Sequence, residues 1–287
     1  MKLLLANDPL RMAGATAFFS TFALPAILLI VTQIFGLLLN RRDLSRGIIA
    51  RLSEILGQNS ARQVALTWRG FRGLGSSLPA AIFGFIFMIF VATTLFKIIK
   101  GSLHQLWMIK GPEKSTFMSG LSGRLRSLCV ILIAGVLFLA SLVAESFRVI
   151  LDTFLQENVP SAALFFNEFI TQVFALVIVT TWFTILFRYL ADGKPSWKAA
   201  FAGGLVTGML FNFGKVVLRW ALESSNLGLL YGASASIVLL LLFVFYSAIM
   251  LYYGAAFTRV WSAYRQHPIQ PMRNSMFYEL AEIKADK

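Results

Sequence analysis

Six long apolar segments alternate with polar connections along the chain. They span residues 13–38, 78–99, 127–147, 162–187, 198–222 and 231–260. Each is close to or above the roughly 20 apolar residues that a helix needs to cross a hydrocarbon core about 30 Å thick. Within lipid, a single segment satisfies all its backbone polar groups only as a helix. The pattern therefore predicts an all-α, polytopic membrane protein with one domain of six transmembrane helices, residues 1–262, and a short polar tail, residues 263–287.

The long connection at residues 39–77 has a helical pattern of its own. The apolar residues of one helical face are Leu44, Ile48, Leu52, Ile55 and Leu56. Apolar residues at this spacing predict an amphipathic helix. Such a helix either lies on the membrane surface or packs on the rest of the protein, and the pattern does not distinguish the two arrangements.

The composition agrees with lipid as the solvent. Hydrophobic residues make up 57% of the chain and charged residues only 14%, whereas soluble domains carry about 25% charged residues. In a soluble protein, the net charge of +13 would suggest a nucleic-acid partner. Here the basic residues flank the apolar segments, where anionic headgroups account for them. We therefore expect membrane lipids and no nucleic acid as partners, and the sequence leaves open whether the protein forms homo-oligomers.

The distribution of lysine and arginine predicts the orientation in the membrane. Sixteen of these residues lie in segments 1–11, 97–126, 188–198 and 259–287, which the six spans place on one side, and nine lie in the connections on the other side. Loops rich in these residues stay in the cytoplasm, so both termini are expected there. Trp107 follows the second span, and Trp182 lies near the inner end of the fourth. We expect both to be anchors at the membrane–water interface.

The sequence contains no recognisable catalytic motif. The two histidines, His104 and His267, lie in different segments, and the single cysteine, Cys129, lies within an apolar run. The chain has no HExxH or CxxC motif, no nucleophile elbow and no Walker loop, which are the signatures of zinc, acyl-transfer and nucleotide chemistry. We therefore expect no enzymatic activity, no cofactor and no metal site.

Polar residues within or beside the apolar segments are the strongest functional signal, because charges are costly in lipid and face a partner or a cavity. The third, fourth and fifth segments contribute Glu145, Arg148, Glu168, Gln172, Asn212, Lys215, Arg219 and Glu223. The last four of these follow helical spacing and form one stripe. We call these eight residues the polar set.

Glu168 and Lys215 are expected at the same depth. Each lies six or seven residues inside the outer end of its segment, which is roughly 10 Å at a rise of 1.5 Å per residue. One interpretation is a polar vestibule open to the outer side, in which Glu168 pairs with Lys215 or Arg219 and the basic residues hold an anionic headgroup. The other is a structural group of ion pairs that fixes the register of the helices. The sequence leaves both open.

Two glycines of the fifth segment indicate close helix packing. Gly204 and Gly208 are four residues apart. Small residues at this spacing let two helix backbones approach closely within a membrane. We therefore assign this pair to helix packing rather than to ligand binding.

Several short motifs occur in the order and spacing of a known family. Residues 17–25 read AFFSTFALP, 103–107 LHQLW, 122–127 SGRLRS, 194–197 KPSW, 231–236 YGASAS and 254–258 GAAFT, with Tyr246 ahead of the last. The register G-x-x-x-T-x-x-x-F-x-x-G-K is fitted by Gly203, Thr207, Phe211, Gly214 and Lys215. Over nearly all six segments the chain thus resembles the YihY/virulence factor BrkB family of bacterial membrane proteins, many of which were once labelled ribonuclease BN.

Three positions depart from the family pattern. Ala256 stands where the family usually has glutamate, His104 where it has asparagine, and Phe243 where tryptophan is common. A mechanism that uses a carboxylate of the last segment as a proton relay or cation site therefore has no support here. Lys215 is retained, which keeps the polar set as a candidate site.

The resemblance implies a protein of the bacterial inner membrane, from a family linked to serum resistance and to the handling of envelope lipids. Together with the polar set, it favours a protein that translocates or transports a lipid or other anionic amphiphile between spans 3, 4 and 5. The alternative is a non-transporting scaffold or assembly factor for the envelope. A ribonuclease is not expected, because no cytoplasmic acid–base cluster is present to cleave RNA.

Overall fold

The protein is described by a computed structural model that is almost entirely helical. The described residues are 7–35, 45–50, 53, 61–62, 64–66, 78–110, 132–133, 136–137, 140, 160–223, 235–272 and 275–278, and at some helical positions, among them 160–171 and 218–223, only the backbone is described. Within these residues, the long helices are α1 (Pro9–Phe35), α2 (Leu78–Trp107), α3 (Pro160–Tyr189), α4 (Trp197–Glu223) and α5 (Ala235–Tyr264). The short strands are β1 (Ile109–Lys110), β2 (Gly193–Lys194), β3 (Gln270–Pro271) and β4 (Met276–Phe277).

The helices coincide with the first, second, fourth, fifth and sixth apolar segments, so the predicted helical fold is confirmed. The third segment, 127–147, lies mostly outside the described residues, and the number of spans therefore stays a prediction. Within the described part of the chain, the segments long and apolar enough to cross a membrane are Gln172–Tyr189, Trp197–Val217 and Ile237–Tyr264.

The helices form a bundle in which α5 is central. It packs on α1, on α4 and, less extensively, on α2, while α3 packs on α4 as an antiparallel hairpin and α2 packs on α1. Large apolar side chains point outward from the bundle, and more than half of the surface of Phe22, Phe90 and Phe213 is exposed. In water such an exposed apolar surface would favour aggregation, whereas in a bilayer it is the surface that contacts the acyl chains.

The four strands of the described residues and most of the main core cluster lie at one end of the bundle, which we call the strand end. It comprises the ends of α2, α3 and α5 and the beginnings of α1 and α4. β1 pairs antiparallel with β4, and β2 pairs antiparallel with β3. The tail segment therefore binds both the chain after α2 and the turn between α3 and α4. The sequence pattern did not predict these two small sheets, because two-residue strands leave no periodicity.

The connection at residues 39–77 is helical where it is described, at residues 45–50, 53, 61–62 and 64–66. Ile48 is 1% exposed and belongs to the main core cluster. The described part of this connection therefore packs on the protein itself, which favours the second of the two arrangements that the sequence left open.

The position of Trp107 corrects one expectation. α2 does not end near residue 99 but continues to Trp107, because Leu103 and Leu106 extend its buried face. Trp107 is 1% exposed, and its Nε1 donates a hydrogen bond of 2.9 Å to the carbonyl oxygen of Ala255. The prediction of an interfacial anchor is therefore wrong for Trp107, which is a core residue. Trp182 is half-buried and packs against the same core.

Candidate functional site

The structure describes the polar set only in part. Glu145 and Arg148 lie outside the described residues, and the side chains of Glu168, Arg219 and Glu223 are not described, although their backbones lie in α3 and α4. The side chains of the remaining three are described, namely Gln172 on α3 and Asn212 and Lys215 on α4.

α3 and α4 approach each other at two glycines. A Cβ atom added to Gly204 would lie 2.8 Å from the carbonyl oxygen of Thr180 and 2.9 Å from the amide nitrogen of Thr184, and one added to Gly208 would lie 2.7 Å from Thr180 Oγ1. Real Cβ atoms essentially never approach so closely. The two packing glycines therefore lie against α3. A side chain at Gly204 would meet the α3 backbone and push the hairpin apart, whereas one at Gly208 would have to displace the Thr180 hydroxyl.

The register of this hairpin relates the depths of two charged residues. Gly204 lies opposite Thr180 and Thr184. When this register is extended along both helices at 1.5 Å per residue, the depths of Lys215 and Glu168 differ by at most about one helical turn, or about 5 Å. The two backbones thus bring a cation and an acidic residue to similar depths on neighbouring helices.

Lys215 and Asn212 form a polar surface on α4. Lys215 Nζ lies 5.6 Å from the centroid of the Phe211 ring, which is a cation–π distance. Asn212 Nδ2 donates to the carbonyl oxygen of Gly208 at 3.0 Å, whereas its buried Oδ1 has no hydrogen-bond partner among the described residues. A buried acceptor without a partner costs about 1–3 kcal/mol, so we expect a donor from a ligand, from water or from another part of the chain at Asn212. Gln172 is exposed.

Gly214 makes room for a tyrosine of α5 beside this surface. The Tyr246 hydroxyl donates to the carbonyl oxygen of Leu210 at 2.9 Å. A Cβ atom at Gly214 would overlap the Tyr246 ring. The glycine that precedes Lys215 therefore allows α5 to support the part of α4 that carries the polar set.

α4 and α5 cross through two reciprocal glycine–threonine contacts, which we call the Gly–Thr crossing. Thr207 Oγ1 donates to the carbonyl oxygen of Gly203, and Thr258 Oγ1 donates to that of Gly254, both at 2.7 Å. A Cβ atom at Gly203 would overlap Thr258 Oγ1, and one at Gly254 would overlap Thr207 Oγ1. Both threonines are 0% exposed. Each hydroxyl thus fills the space that the glycine of the other helix leaves open.

The ends of α2 and α5 are joined by hydrogen bonds to backbone carbonyls. Arg259 Nη1 donates to the carbonyl oxygen of Leu106 at 2.8 Å, and Trp107 Nε1 donates to that of Ala255. The last carbonyls of a helix have no partner within the helix, so Arg259 satisfies one at the end of α2. The motifs LHQLW and GAAFT are therefore two halves of one structural joint.

A charged cluster that the sequence pattern did not predict lies at the strand end. Lys100 Nζ lies 2.8 Å from Asp192 Oδ1, and His104 Nε2 lies 3.4 Å from Asp192 Oδ2. The Asp192 amide donates to His104 Nε2 at 3.0 Å, so this nitrogen acts as an acceptor in the cluster. The Asp192 carbonyl accepts from the Met272 amide at 2.8 Å. The cluster therefore ties α2 to the turn after α3 and to the tail.

Replacing Asp192 with asparagine is expected to lower the free energy of unfolding by about 1–2 kcal/mol. The reason is that Lys100, only 29% exposed, would lose its counter-charge. Asp8→Asn is the matched control, because the ion pair of Asp8 with Arg11 is 71% exposed on both sides and contributes little. Chemical unfolding in mixed micelles measures both variants, and equal stability of the two would contradict a structural role for the cluster.

Two of the departures from the family pattern are structural. His104 belongs to the charged cluster, and Ala256 is 8% exposed in the core of the strand end. The third, Phe243, contacts Phe211 edge to face at 5.9 Å between ring centroids.

No group of three or more His, Cys, Asp or Glu side chains that could hold a metal ion occurs among the described residues.

Comparison with known proteins decides the family. The sequence model described as "Virulence factor BrkB" matches residues 3–276. The chain belongs to the virulence factor BrkB family. The resemblance carried by the short motifs is therefore confirmed, and the structural joint and the Gly–Thr crossing are parts of a BrkB-family protein. No solved structure shows significant similarity to the chain.

Curated relatives of this BrkB-family protein are membrane proteins. A UPF0761 membrane protein of Legionella pneumophila is 26% identical over 65% of this chain and 42% of its own length. A UPF0761 membrane protein of Pseudoalteromonas translucida is 26% identical over 66% of this chain and 59% of its own length. A UPF0761 membrane protein of Saccharophagus degradans is 22% identical over 87% of this chain and 55% of its own length. The chain thus spans about half the length of these relatives. This BrkB-family chain is an integral membrane protein.

The Gly–Thr crossing of this BrkB-family protein has a signal in the sequence. The pattern G-x-x-x-T occurs at Gly203–Thr207 and again at Gly254–Thr258. Small residues four apart on two segments indicate helices that cross each other closely, and the prediction of helix packing at Gly204 and Gly208 overlooked this repeat. For the Lys100–Asp192 pair no such signal exists, because its members lie on segments far apart in the chain.

Proposed function

We propose that this integral membrane protein translocates an anionic lipid, or another anionic amphiphile, across the bacterial inner membrane. The observation that supports the proposal is the position of Lys215 within the apolar segment Trp197–Val217. A lysine inside a membrane-spanning helix costs up to about 2.5–3.5 kcal/mol on insertion scales. Beside it lies Asn212 Oδ1, which has no hydrogen-bond partner in the part of the chain that the structure describes. This pair is suited to an anionic headgroup that carries hydroxyl groups.

The proposed path lies between the third predicted span, α3 and α4. Lys215 and Arg219 attract the phosphate, Asn212 accepts a hydrogen bond from the headgroup, and Glu168 balances the cations when no ligand is bound. The remaining members of the polar set line the same vestibule, namely Glu145, Arg148, Gln172 and Glu223. The termini and the strand end face the cytoplasm in this proposal, and the protein performs no catalytic step and needs no cofactor.

Lys215→Met is expected to slow lipid translocation about tenfold or more, because a hydrogen bond to a charged group contributes about 1.5–3 kcal/mol. The protein is reconstituted into liposomes with fluorescent phosphatidylglycerol, and dithionite bleaching of the outer leaflet reports the rate. Lys215→Arg keeps the charge and should retain most of the activity.

The matched control is Lys97→Met, which removes an exposed lysine of α2 and should leave the rate unchanged. A wild-type protein that moves lipid no faster than empty liposomes would refute the proposal. So would a K215M variant with the wild-type rate.

A non-transporting scaffold is the second candidate, and a different observation favours it. α4 is held against α3 at Gly204 and Gly208 and against α5 at Gly203, as expected of a rigid unit. In a scaffold, Lys215 would fix the helix register through an ion pair. K215M would then unfold more easily than K97M, whereas normal stability with lost translocation supports transport.

A further inference from the structure

A cleft of about 650 Å³ lies at the strand end, between the first turn of α4 and the last turn of α5. Its lining includes Ser196, Trp197, Lys198, Trp261, Arg265 and His267, and none of the described residues that line it is acidic. The cleft lies at the opposite end of α4 from Lys215 and shares no residue with the polar set.

The charges around this cleft favour an anion. Lys198 is exposed in the first turn of α4, which contains no acidic residue. The helix dipole is positive at this end and disfavours a cation there, so an anion in the cleft would stabilise both the lysine and the helix terminus. Arg265 is also exposed, and its guanidinium carbon lies 5.2 Å from the Trp261 ring centroid. This contact orients the Arg265 guanidinium, the second cation after Lys198, at the wall of the cleft.

An apolar groove lies beside the cleft. It has a volume of about 510 Å³, lies between α3 and α4, and is lined by Ile185 and Phe201 together with Trp197 and Lys198, which it shares with the cleft. Phe201 is 55% exposed, and Phe213 on the same helix is 67% exposed. At 1.5 Å per residue these two lie about 18 Å apart along α4, which exceeds half of a hydrocarbon core of about 30 Å.

Trp197 lies at the border between the basic cleft and the apolar groove. It is 54% exposed, and the guanidinium carbon of Arg188 lies 5.3 Å from its ring centroid. Indole rings prefer the level of the headgroups in a bilayer, where one edge is apolar and the other is wet. The boundary between headgroup and acyl chain is therefore expected at Trp197.

We propose that the cleft binds the phosphate headgroup of an anionic glycerophospholipid from the adjoining leaflet, with one acyl chain lying along the exposed face of α4. Lys198 and Arg265 hold the phosphate, and Phe201 contacts the chain. This site is separate from the proposed translocation path, and its occupation does not depend on whether the protein moves lipids.

Binding is tested with the full chain in a neutral detergent, using phosphatidylglycerol with a fluorophore on its acyl chain and fluorescence anisotropy as the readout. We expect phosphatidylglycerol to bind at least tenfold more tightly than phosphatidylcholine with the same label. Lys198→Glu and Arg265→Glu should each weaken binding about tenfold or more, since each replaces a charge-assisted contact with a repulsion. Lys97→Glu makes the same charge change on α2 and should alter the affinity less than twofold.

The outcomes separate this site from its alternatives. An equal loss in K97E and K198E would show attraction to the overall charge and would overturn the proposal. Competition by free glycerol phosphate at the same concentration as the lipid would show a site for a soluble phosphate, which also overturns it. Should the charge reversals lower the amount of folded protein, Lys198→Gln and Arg265→Gln serve in their place, and wild-type affinity in both would refute the assignment.

Discussion

Alanine at Gly203 is expected to lower the free energy of unfolding by about 3 kcal/mol, the upper range for overpacking a filled core. The new methyl group would overlap Thr258 Oγ1 and lie 3.0 Å from Thr258 Cβ and 3.2 Å from the carbonyl oxygen of Gly254. Because the threonine hydroxyl is bound to its own helix, it cannot move without losing that bond. Chemical unfolding in mixed micelles measures the change.

Matched controls are available on other helices. A Cβ atom at Gly14 or Gly101 would meet nothing within 4 Å, so alanine there should leave stability unchanged or raise it by about 0.5–1 kcal/mol. The double variant Gly203→Ala/Thr258→Ala should recover part of the loss, because the overlapping hydroxyl is gone. If the two single effects simply add, the Gly–Thr crossing is not the cause.

Alanine at Trp107 is expected to cost about 3–5 kcal/mol, as for other fully buried aromatic residues. The substitution removes a side chain that is 1% exposed and the hydrogen bond to Ala255 that joins α2 to α5. Trp107→Phe retains most of the packing and should cost about 1 kcal/mol, the usual contribution of one hydrogen bond. Unfolding curves of the two variants separate packing from hydrogen bonding.

Tyr264→Ala is the control for this second prediction. Tyr264 is 78% exposed at the end of α5, so its removal should change stability little. An interfacial anchor at Trp107, as the sequence pattern predicted, would give W107A and Y264A similar small effects. A large difference between them is the result that the structure requires.

The helices could be predicted because each contains a long apolar run, which the length and composition of the segment show directly. The ends of the helices could be predicted less well. The second span was predicted to end at residue 99, yet α2 continues to Trp107 because the strand end, and not the lipid, buries Leu103 and Leu106. Hydropathy does not distinguish residues buried in lipid from residues buried in protein, and this accounts for the error at Trp107.

The candidate site was predictable only as a set of residues. Helical spacing places Asn212 and Lys215 on one stripe, and the hairpin register adds the depth of Glu168 relative to them. The vestibule itself stays a prediction, because Glu145 and Arg148 lie outside the described residues. The cleft at Lys198 and Arg265 was not predicted from the sequence, since basic residues near span ends are normally explained by the orientation rule alone.

The pairing of the tail has a consequence for how the protein is made. β3 and β4 come last in the described chain, yet they pair with strands that follow α2 and α3, and Ile269 beside them is 4% exposed. Residue 277 must therefore be synthesised before the strands of the strand end can pair, and the ribosome reaches this residue only after it has completed all the described helices. A chain whose translation stops just after α5 would lack β3 and β4 and would leave β1 and β2 without their partner strands.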